Sequence, residues 1–108
     1  MQLQYASCVQ ACDTCAVACD YYAGACLREA HPKELARCAA MAFDCALVCR
    51  LLSGAIARRS EFAKELAMAC AQVCEACANE CKRHSSDHTE KCYEVCTFCA
   101  QECRKVME

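Results

Sequence analysis

Residues 70–81 read CAQVCEACANEC, a stretch in which four cysteines follow one another at intervals of 4, 3 and 4 residues. The same intervals recur in residues 8–19 (CVQACDTCAVAC) and in residues 92–103 (CYEVCTFCAQEC). A fourth copy, residues 38–49 (CAAMAFDCALVC), carries Ala42 where the second cysteine would stand. Because residues three and four apart are neighbours on one face of an α-helix, the spacing predicts a helix with a stripe of thiols in each copy.

All the cysteines of the chain, 16 in 108 residues, fall on one heptad pattern. One set takes position d of the heptad: Cys8, Cys15, Cys38, Cys45, Cys70, Cys77, Cys92 and Cys99. The other set takes position a: Cys12, Cys19, Cys26, Cys49, Cys74, Cys81, Cys96 and Cys103. Positions a and d face the neighbouring helices of a bundle, so we expect every thiol to point inwards.

Helix-breaking or polar segments divide the chain at three places, whereas the remainder, with only 2 glycines and 1 proline in all, favours helix. His31-Pro32 ends the first helix, because proline restricts the residue before it and suits a helix start. Ser53-Gly54 is predicted to end the second helix, with glycine as its C-cap. Residues 84–88 (HSSDH) form a polar turn before the fourth. The predicted helices are therefore residues 3–30, 33–52, 56–84 and 87–106.

Short connections force neighbouring helices to run antiparallel. The predicted fold class is all-α, an up-down-up-down four-helix bundle with a cysteine-lined core, built as a single domain over residues 1–108. The first cysteine-rich copy resembles the third, and the second resembles the fourth. This similarity predicts a duplicated helical hairpin, with one hairpin in residues 1–54 and the other in residues 55–108.

Composition excludes several classes of function. The net charge of -2 argues against nucleic-acid binding, which depends on neutralising phosphates. We find no run of about 18 apolar residues and expect no membrane span. The first ten residues, MQLQYASCVQ, lack the basic and apolar regions of a secretory signal, so we expect a cytoplasmic protein. Thiols stay reduced in that compartment, where a cysteine array indicates metal binding rather than disulfides.

The spacing of the thiols favours copper in the cuprous state. Cu(I) is a soft d¹⁰ ion that prefers thiolate ligands and accepts two or three of them. A pair of cysteines four residues apart can hold one such ion from a single helix, and the neighbouring helices can supply third or bridging ligands. Stripes of sulfur along four helices therefore predict a store for multiple Cu(I) ions, with no enzymatic activity.

The two ends of the bundle are expected to differ. All three histidines belong to the connections after the first and third helices, which lie at the same end. His84 follows Cys81 by one helical turn and is the best candidate for a ligand at an open end, with His88 a second candidate and His31 a weaker one. At the opposite end, an apolar plug is predicted from the following residues: Leu51, Leu52, Ile56 and Phe62.

The second helix also carries an apolar stripe on the face opposite its cysteines. Its members are Ala36, Ala40, Phe43, Leu47 and Leu51. Exposed apolar stripes commonly mark association surfaces. We therefore predict that the chain forms a homo-oligomer through this helix.

The chain resembles the bacterial copper storage proteins, cysteine-rich four-helix bundles that bind copper. The resemblance covers nearly all 108 residues and is most specific in CAQVCEACANECKRHSSDH and CYEVCTFCAQECRK. It implies inward-facing cysteines that take up many Cu(I) ions, histidines at an open end and a tetramer. The absence of a signal resembles the cytosolic branch of the family. By resemblance, the sixteen cysteines above are the metal ligands, and Ala42 removes one thiol from the usual pattern.

Other functions remain possible from the residues alone. An iron–sulfur carrier needs a compact Cys-x2-Cys-x2-Cys-x3-Cys site, and that pattern is absent. Zinc sites bring four ligands together by turns, although adventitious zinc binding is expected. A disulfide-linked helical protein with a structural or interaction role requires an oxidising compartment. A thiol redox enzyme needs a partly exposed cysteine of low pKa, whereas these cysteines are all predicted to be buried.

Overall fold

The computed structural model describes residues 4–29, 32–84 and 87–108, which form four α-helices, one short 3-10 helix and no strand. The helices are α1 (Ala6–Leu27), α2 (Ala36–Ala57), α3 (Ala63–Cys81) and α4 (Asp87–Met107), and the 3-10 helix Pro32–Leu35 directly precedes α2. The predicted all-α fold class is confirmed. The predicted first and fourth helices coincide with α1 and α4 apart from their ends.

The four helices pack as a ring, in which α1 contacts α2, α2 contacts α3, α3 contacts α4 and α4 contacts α1. The bundle is a rod of 45 × 19 × 19 Å. The connections α1–α2 and α3–α4 lie at one end of the rod, here called the mouth. The α2–α3 connection lies at the other, here called the closed end. The long interior between these ends is where the cysteine stripes meet.

The predicted boundary between the second and third helices is wrong. Helix α2 continues past Ser53-Gly54, so residues 56 and 57, which were assigned to the third helix at 56–84, belong to α2. Glycine inside a helix costs about 1 kcal/mol relative to alanine. Burial of Leu52 and Ile56 on either side of the dipeptide favours continuing the helix, because each large apolar side chain contributes about 1.5–3 kcal/mol when it is fully buried.

A Schellman motif ends α2 without using a glycine. The Ser60 N–H donates to Ala55 O at 2.9 Å, and the Arg59 N–H donates to Ile56 O at 3.0 Å. Arg59 takes the left-handed conformation at φ 56°, the place usually occupied by glycine. The chain then turns at Ser60 and enters α3, which begins seven residues later than expected at Ala63 rather than at residue 56.

Helix α2 is long and apolar enough to cross a membrane by length and composition, with a mean hydropathy of 1.6 over its best 18-residue window. The bundle buries 44% of that window. Cysteine and alanine supply much of its hydropathy, and the cysteines among them face the interior. The apolar character of α2 is therefore also that of a core helix.

Candidate metal centre

Every cysteine side chain lies in the core. All of them are free thiols, and none is more than 2% exposed. Buried alanines such as Ala16, Ala46 and Ala78 take the remaining space between the helices and keep the backbones close. The burial of the thiols agrees with the heptad assignment, in which every cysteine occupies an inward position.

Sulfur atoms from all four helices meet in the middle of the bundle. Cys45 Sγ of α2 lies 3.7 Å from Cys15 Sγ of α1, 3.6 Å from Cys74 Sγ of α3 and 4.0 Å from Cys96 Sγ of α4. Pairs four residues apart on one helix also approach to 3.9–4.0 Å: Cys8–Cys12, Cys15–Cys19, Cys70–Cys74 and Cys92–Cys96. The sulfur atoms thus form a connected network through the middle of the rod.

The network contains groups whose sulfur atoms all lie within 4.8 Å of one another. Groups with four members include the following: Cys12, Cys49, Cys70 and Cys99; Cys15, Cys49, Cys74 and Cys99; Cys15, Cys19, Cys45 and Cys96; Cys19, Cys77, Cys92 and Cys96. A further group contains Cys8, Cys12 and Cys103. Metal–sulfur bonds of about 2.3 Å place two ligating sulfurs about 4 Å apart, so each group can hold a metal ion. Successive groups share sulfurs, which permits bridged ions.

The thiols cannot all ionise without a cation. Burial raises the pKa of Cys26 and of Cys38. Deeper in the network, a hydrogen bond with Cys19 lowers the pKa of Cys15, while the same interaction raises the pKa of Cys19. A thiolate here is stabilised only by neighbours that keep their own protons. Bound metal must therefore replace protons, and these protons are released as the array fills.

Tyr22 interrupts the sulfur stripe of α1 near the mouth. It occupies the inward position between Cys19 and Cys26 and is 1% exposed. Burial raises the pKa of its hydroxyl, which interacts with the thiols of Cys38 and Cys26. On α2 the corresponding interruption is Ala42, which is fully buried and contributes no sulfur. Cys26 on α1 and Cys38 on α2, the thiols of these two helices at the mouth, are thus separated along their helices from the central network.

Glu80 is a buried acidic residue at the mouth that was not predicted from the sequence. Its side chain is 8% exposed, and its Oε1 accepts a hydrogen bond from Arg37 Nε at 2.8 Å. Burial alone would raise the pKa of Glu80, but the hydrogen bond from Arg37 and the charges of Arg83 and Arg37 outweigh it and lower the pKa. The only sequence signal was its position four residues before His84, a spacing at which side chains meet on a helix.

Of the three histidines predicted at the mouth, the structure describes the side chain of His84 alone. His84 lies just beyond α3, is 27% exposed, and has its Nε2 3.6 Å from Glu80 Oε2. Its backbone is fixed from both sides, since its N–H donates to Cys81 O and its carbonyl accepts from Thr89 Oγ1. The backbone of His88 belongs to the first turn of α4. The side chain of His88 and the whole of His31 lie outside the described residues.

The closed end is apolar, but only half of the predicted plug takes part. Leu52 and Ile56 are buried, at 0% and 3% exposed, whereas Leu51 and Phe62 are 49% and 58% exposed. The prediction is wrong for the latter two. Leu51 lies on the outer face of α2, and Phe62 lies in the connection before α3. Val106 from α4, 1% exposed, joins the plug instead.

Comparison with known proteins agrees with this geometry. The sequence profile of a family described as Copper storage protein matches residues 1–108. A curated relative, the uncharacterized cysteine-rich protein YhjQ of Bacillus subtilis, is 38% identical over 84 residues, which cover 78% of each chain.

Two solved structures are similar over nearly the whole fold. The Cu(I)-bound copper storage protein BsCsp3 is 37% identical, with a TM-score of 0.92 over 97% of this chain and 100% of that one. The Streptomyces lividans copper storage protein Ccsp, loaded with 10 copper equivalents, is 35% identical, with a TM-score of 0.92 over 95% of this chain and 83% of that one. Both of these structures are of copper-loaded proteins, and both share the fold of this chain.

Proposed function

Because this chain belongs to the copper storage protein family, we propose that its sixteen cysteines are the ligands of the multiple Cu(I) ions that it stores. The observation that carries the proposal is the set of four-sulfur groups joined by shared cysteines. Separate sites would need separate ligands, whereas shared sulfurs suit bridged ions. With two or three ligands per ion and bridging, the array accommodates about eight to about sixteen ions.

Charge also matches the interior to a monovalent ion. One thiolate per Cu(I) makes a neutral unit, which avoids the large cost of an uncompensated charge in an apolar core. Bridging sulfurs let each ion reach two or three ligands at nearly that ratio. Each bound ion displaces thiol protons and links helices whose core contacts are made mainly by cysteine and alanine. Copper therefore stabilises the folded bundle.

Copper enters and leaves at the mouth, with His84 and His88 as additional ligands there. The position of His84, one turn after Cys81, supports this direction, because it extends the ligand stripe of α3 to a half-exposed site. Leu52, Ile56 and Val106 oppose entry at the closed end. An imidazole at the entrance gives an arriving Cu(I) ion a ligand that requires no thiol proton to be lost.

The protein acts in the cytoplasm as a store, without a catalytic role and without nucleic acid or membrane as partners. The similar Streptomyces lividans protein is described as a cytosolic copper storage protein, which supports this location. Buried, protonated thiols suit retention of metal better than redox turnover, for which a reactive cysteine must be accessible. Fractionation of cells that express the tagged chain tests the location.

The chain assembles as a homo-oligomer, a tetramer by resemblance, through the outer stripe of α2. In this stripe Phe43, Leu47 and Leu51 are 45%, 67% and 49% exposed. Leu47→Glu should shift the molar mass measured by light scattering towards that of a monomer. Val17→Glu is the matched control, because Val17 is 65% exposed on α1. A wild-type protein that is monomeric at micromolar concentration would refute the assembly.

Anaerobic titration tests the storage proposal directly. The reduced protein is titrated with Cu(I) in competition with a chromophoric chelator, and the bound ions are counted. We expect a stoichiometry of at least about eight. A stoichiometry of one or two would contradict storage by the whole array. Thiol protons released during the titration, measured in a weakly buffered solution, should increase with copper until the array is full.

A further inference from the structure

The two oxygens of the Glu80 carboxylate have different partners. Oε1 accepts from Arg37 Nε at 2.8 Å and lies 4.0 Å from Arg83 Nη1. Oε2 accepts from the thiol of Cys38 at 3.7 Å and lies 3.6 Å from His84 Nε2. The arginines hold the carboxylate from outside, and its second oxygen is left facing a sulfur and a nitrogen.

A sulfur donor and a nitrogen donor thus approach the same carboxylate oxygen at the mouth. The three residues come from three segments, namely the start of α2 (Cys38), the end of α3 (Glu80) and the turn that follows α3 (His84). The two distances from Glu80 Oε2, 3.7 Å to Cys38 Sγ and 3.6 Å to His84 Nε2, are those of neighbouring ligands around a tetrahedral ion, for which bonds of about 2.0–2.3 Å put donors about 3.3–3.7 Å apart. The four-sulfur groups of the interior contain cysteines alone, so this donor set is chemically different.

We propose that Cys38, Glu80 and His84 form a site for one borderline divalent ion, Zn²⁺, at the mouth of the bundle. On binding, a metal–sulfur bond replaces the S–H bond of Cys38, whose proton passes to solvent, and the fourth position is open to water. A thiolate, a carboxylate and a neutral imidazole together bring two negative ligand charges to an ion of charge +2. The same ion in a four-thiolate group would leave two negative charges in an apolar core.

The mouth site and the interior therefore differ in metal selectivity, according to the charge and softness of the ion. A soft monovalent ion is better served by the thiols of the interior, and a borderline divalent ion by the mixed donors of the mouth. Zn²⁺ bound there would compete with Cu(I) for Cys38 and His84 at the entrance. The proposal goes beyond copper storage and does not depend on how many Cu(I) ions the interior holds.

The test is a titration of the reduced, metal-free protein with Zn²⁺ against a fluorescent chelator. We expect one equivalent to bind more tightly than the rest, and Glu80→Gln to weaken that equivalent by more than about tenfold. Glu75→Gln is the matched control, because Glu75 lies on the same helix, is 45% exposed and pairs with Arg104 on the outer surface. Its first equivalent should bind as in the wild type.

Two results would overturn the site. One is an unchanged first equivalent in Glu80→Gln, and the other is a first equivalent that is weakened in the interior variant Cys49→Ser as much as in Glu80→Gln. Circular dichroism checks the fold, and His84→Gln, which changes a half-exposed side chain beyond α3, gives the same comparison if Glu80→Gln does not fold.

Co²⁺ supplies a spectroscopic readout of the same site. The first equivalent of Co²⁺ should give a sulfur-to-cobalt charge-transfer band with the intensity of one thiolate, together with the d–d bands of a tetrahedral ion. A band with the intensity of four thiolates would place the ion in the interior and refute the proposal. Copper capacity, measured separately on the wild type, decides the storage function independently.

Discussion

Replacing Cys49 with serine tests whether the thiols act as a shared array. Cys49 Sγ lies 3.7 Å from Cys70 Sγ, 3.8 Å from Cys74 Sγ and 3.8 Å from Cys99 Sγ, and it belongs to two of the four-sulfur groups. A hydroxyl is a poor ligand for Cu(I), so the variant removes one ligand from the ions of both groups. We expect the capacity to fall by about two ions.

The same substitution has a calculable effect on the metal-free protein. Serine is close to cysteine in shape but leaves a hydroxyl among weakly hydrogen-bonding sulfurs, which costs about 1–3 kcal/mol. In a domain of this size, 1 kcal/mol corresponds to a change in Tm of about 4–8 °C. Thermal unfolding of the reduced, metal-free variant should therefore begin at a lower temperature, while its far-UV spectrum at room temperature remains helical.

Cys26→Ser is the matched control, since it makes the same change at a buried thiol of the mouth, beside Tyr22. We expect this control to lose at most about one ion. Both variants are titrated anaerobically against the same chromophoric chelator. Equal losses of copper in the two variants, or no loss in Cys49→Ser, would refute the reasoning that shared sulfurs bridge the ions.

Three further predictions concern the metal-free protein. Burial raises the pKa of Cys26 and Cys38 in the folded state, so their contribution to the free energy of unfolding should be full below the ordinary thiol pKa of 9.0 and be lost as the pH rises through the folded-state pKa values. Thermal denaturation from neutral pH to about 10 checks this, and a Tm that increases above pH 9.0 would contradict it. Arg37→Ala removes the hydrogen-bond donor of the buried Glu80 carboxylate and should lower the free energy of urea unfolding by only about 1 kcal/mol, because the guanidinium is largely exposed and screened. Arg37→Lys should lower it less, and an Arg37→Ala variant as stable as the wild type would show that the ion pair contributes nothing. A thiol-reactive dye should label all 16 cysteines in denaturant and label them slowly in the native protein, since none is more than 2% exposed; rapid native labelling would contradict the buried array.

The fold was predictable from sequence because one spacing specifies both helix and burial. Intervals of 4, 3 and 4 residues are compatible with a helical face and incompatible with the two-residue period of a strand. Four copies joined by short connections then leave few arrangements other than an antiparallel bundle. The placement of the sulfurs was therefore predictable although the core holds few large aliphatic residues.

The helix boundary and the mouth were harder to predict, for different reasons. Local propensity indicated a helix end at Gly54, but α2 continues because Leu52 and Ile56 are buried at the closed end. The helix ends instead with Arg59 in the left-handed conformation that glycine usually adopts at this position, so no glycine marks the end in the sequence. Glu80 was missed because a charged residue on a helix is ordinarily a solvated one. Its burial depends on Arg37, which is remote in sequence.

The interruptions of the sulfur pattern occur together near the mouth, and their position has a physical consequence. Tyr22 and Ala42 withhold sulfur from α1 and α2 there, while Glu80 and His84 add oxygen and nitrogen donors close to Cys38. A uniform array would bind Cu(I) equally along its length and retain it at the entrance as strongly as at the centre. Because the mouth offers fewer thiolates, we expect it to bind Cu(I) more weakly than the interior, so that an arriving ion moves inwards towards tighter binding. We therefore expect the repeated cysteine pattern to set the number of Cu(I) ions held, and its interruptions near the mouth to govern the exchange of copper with the solvent.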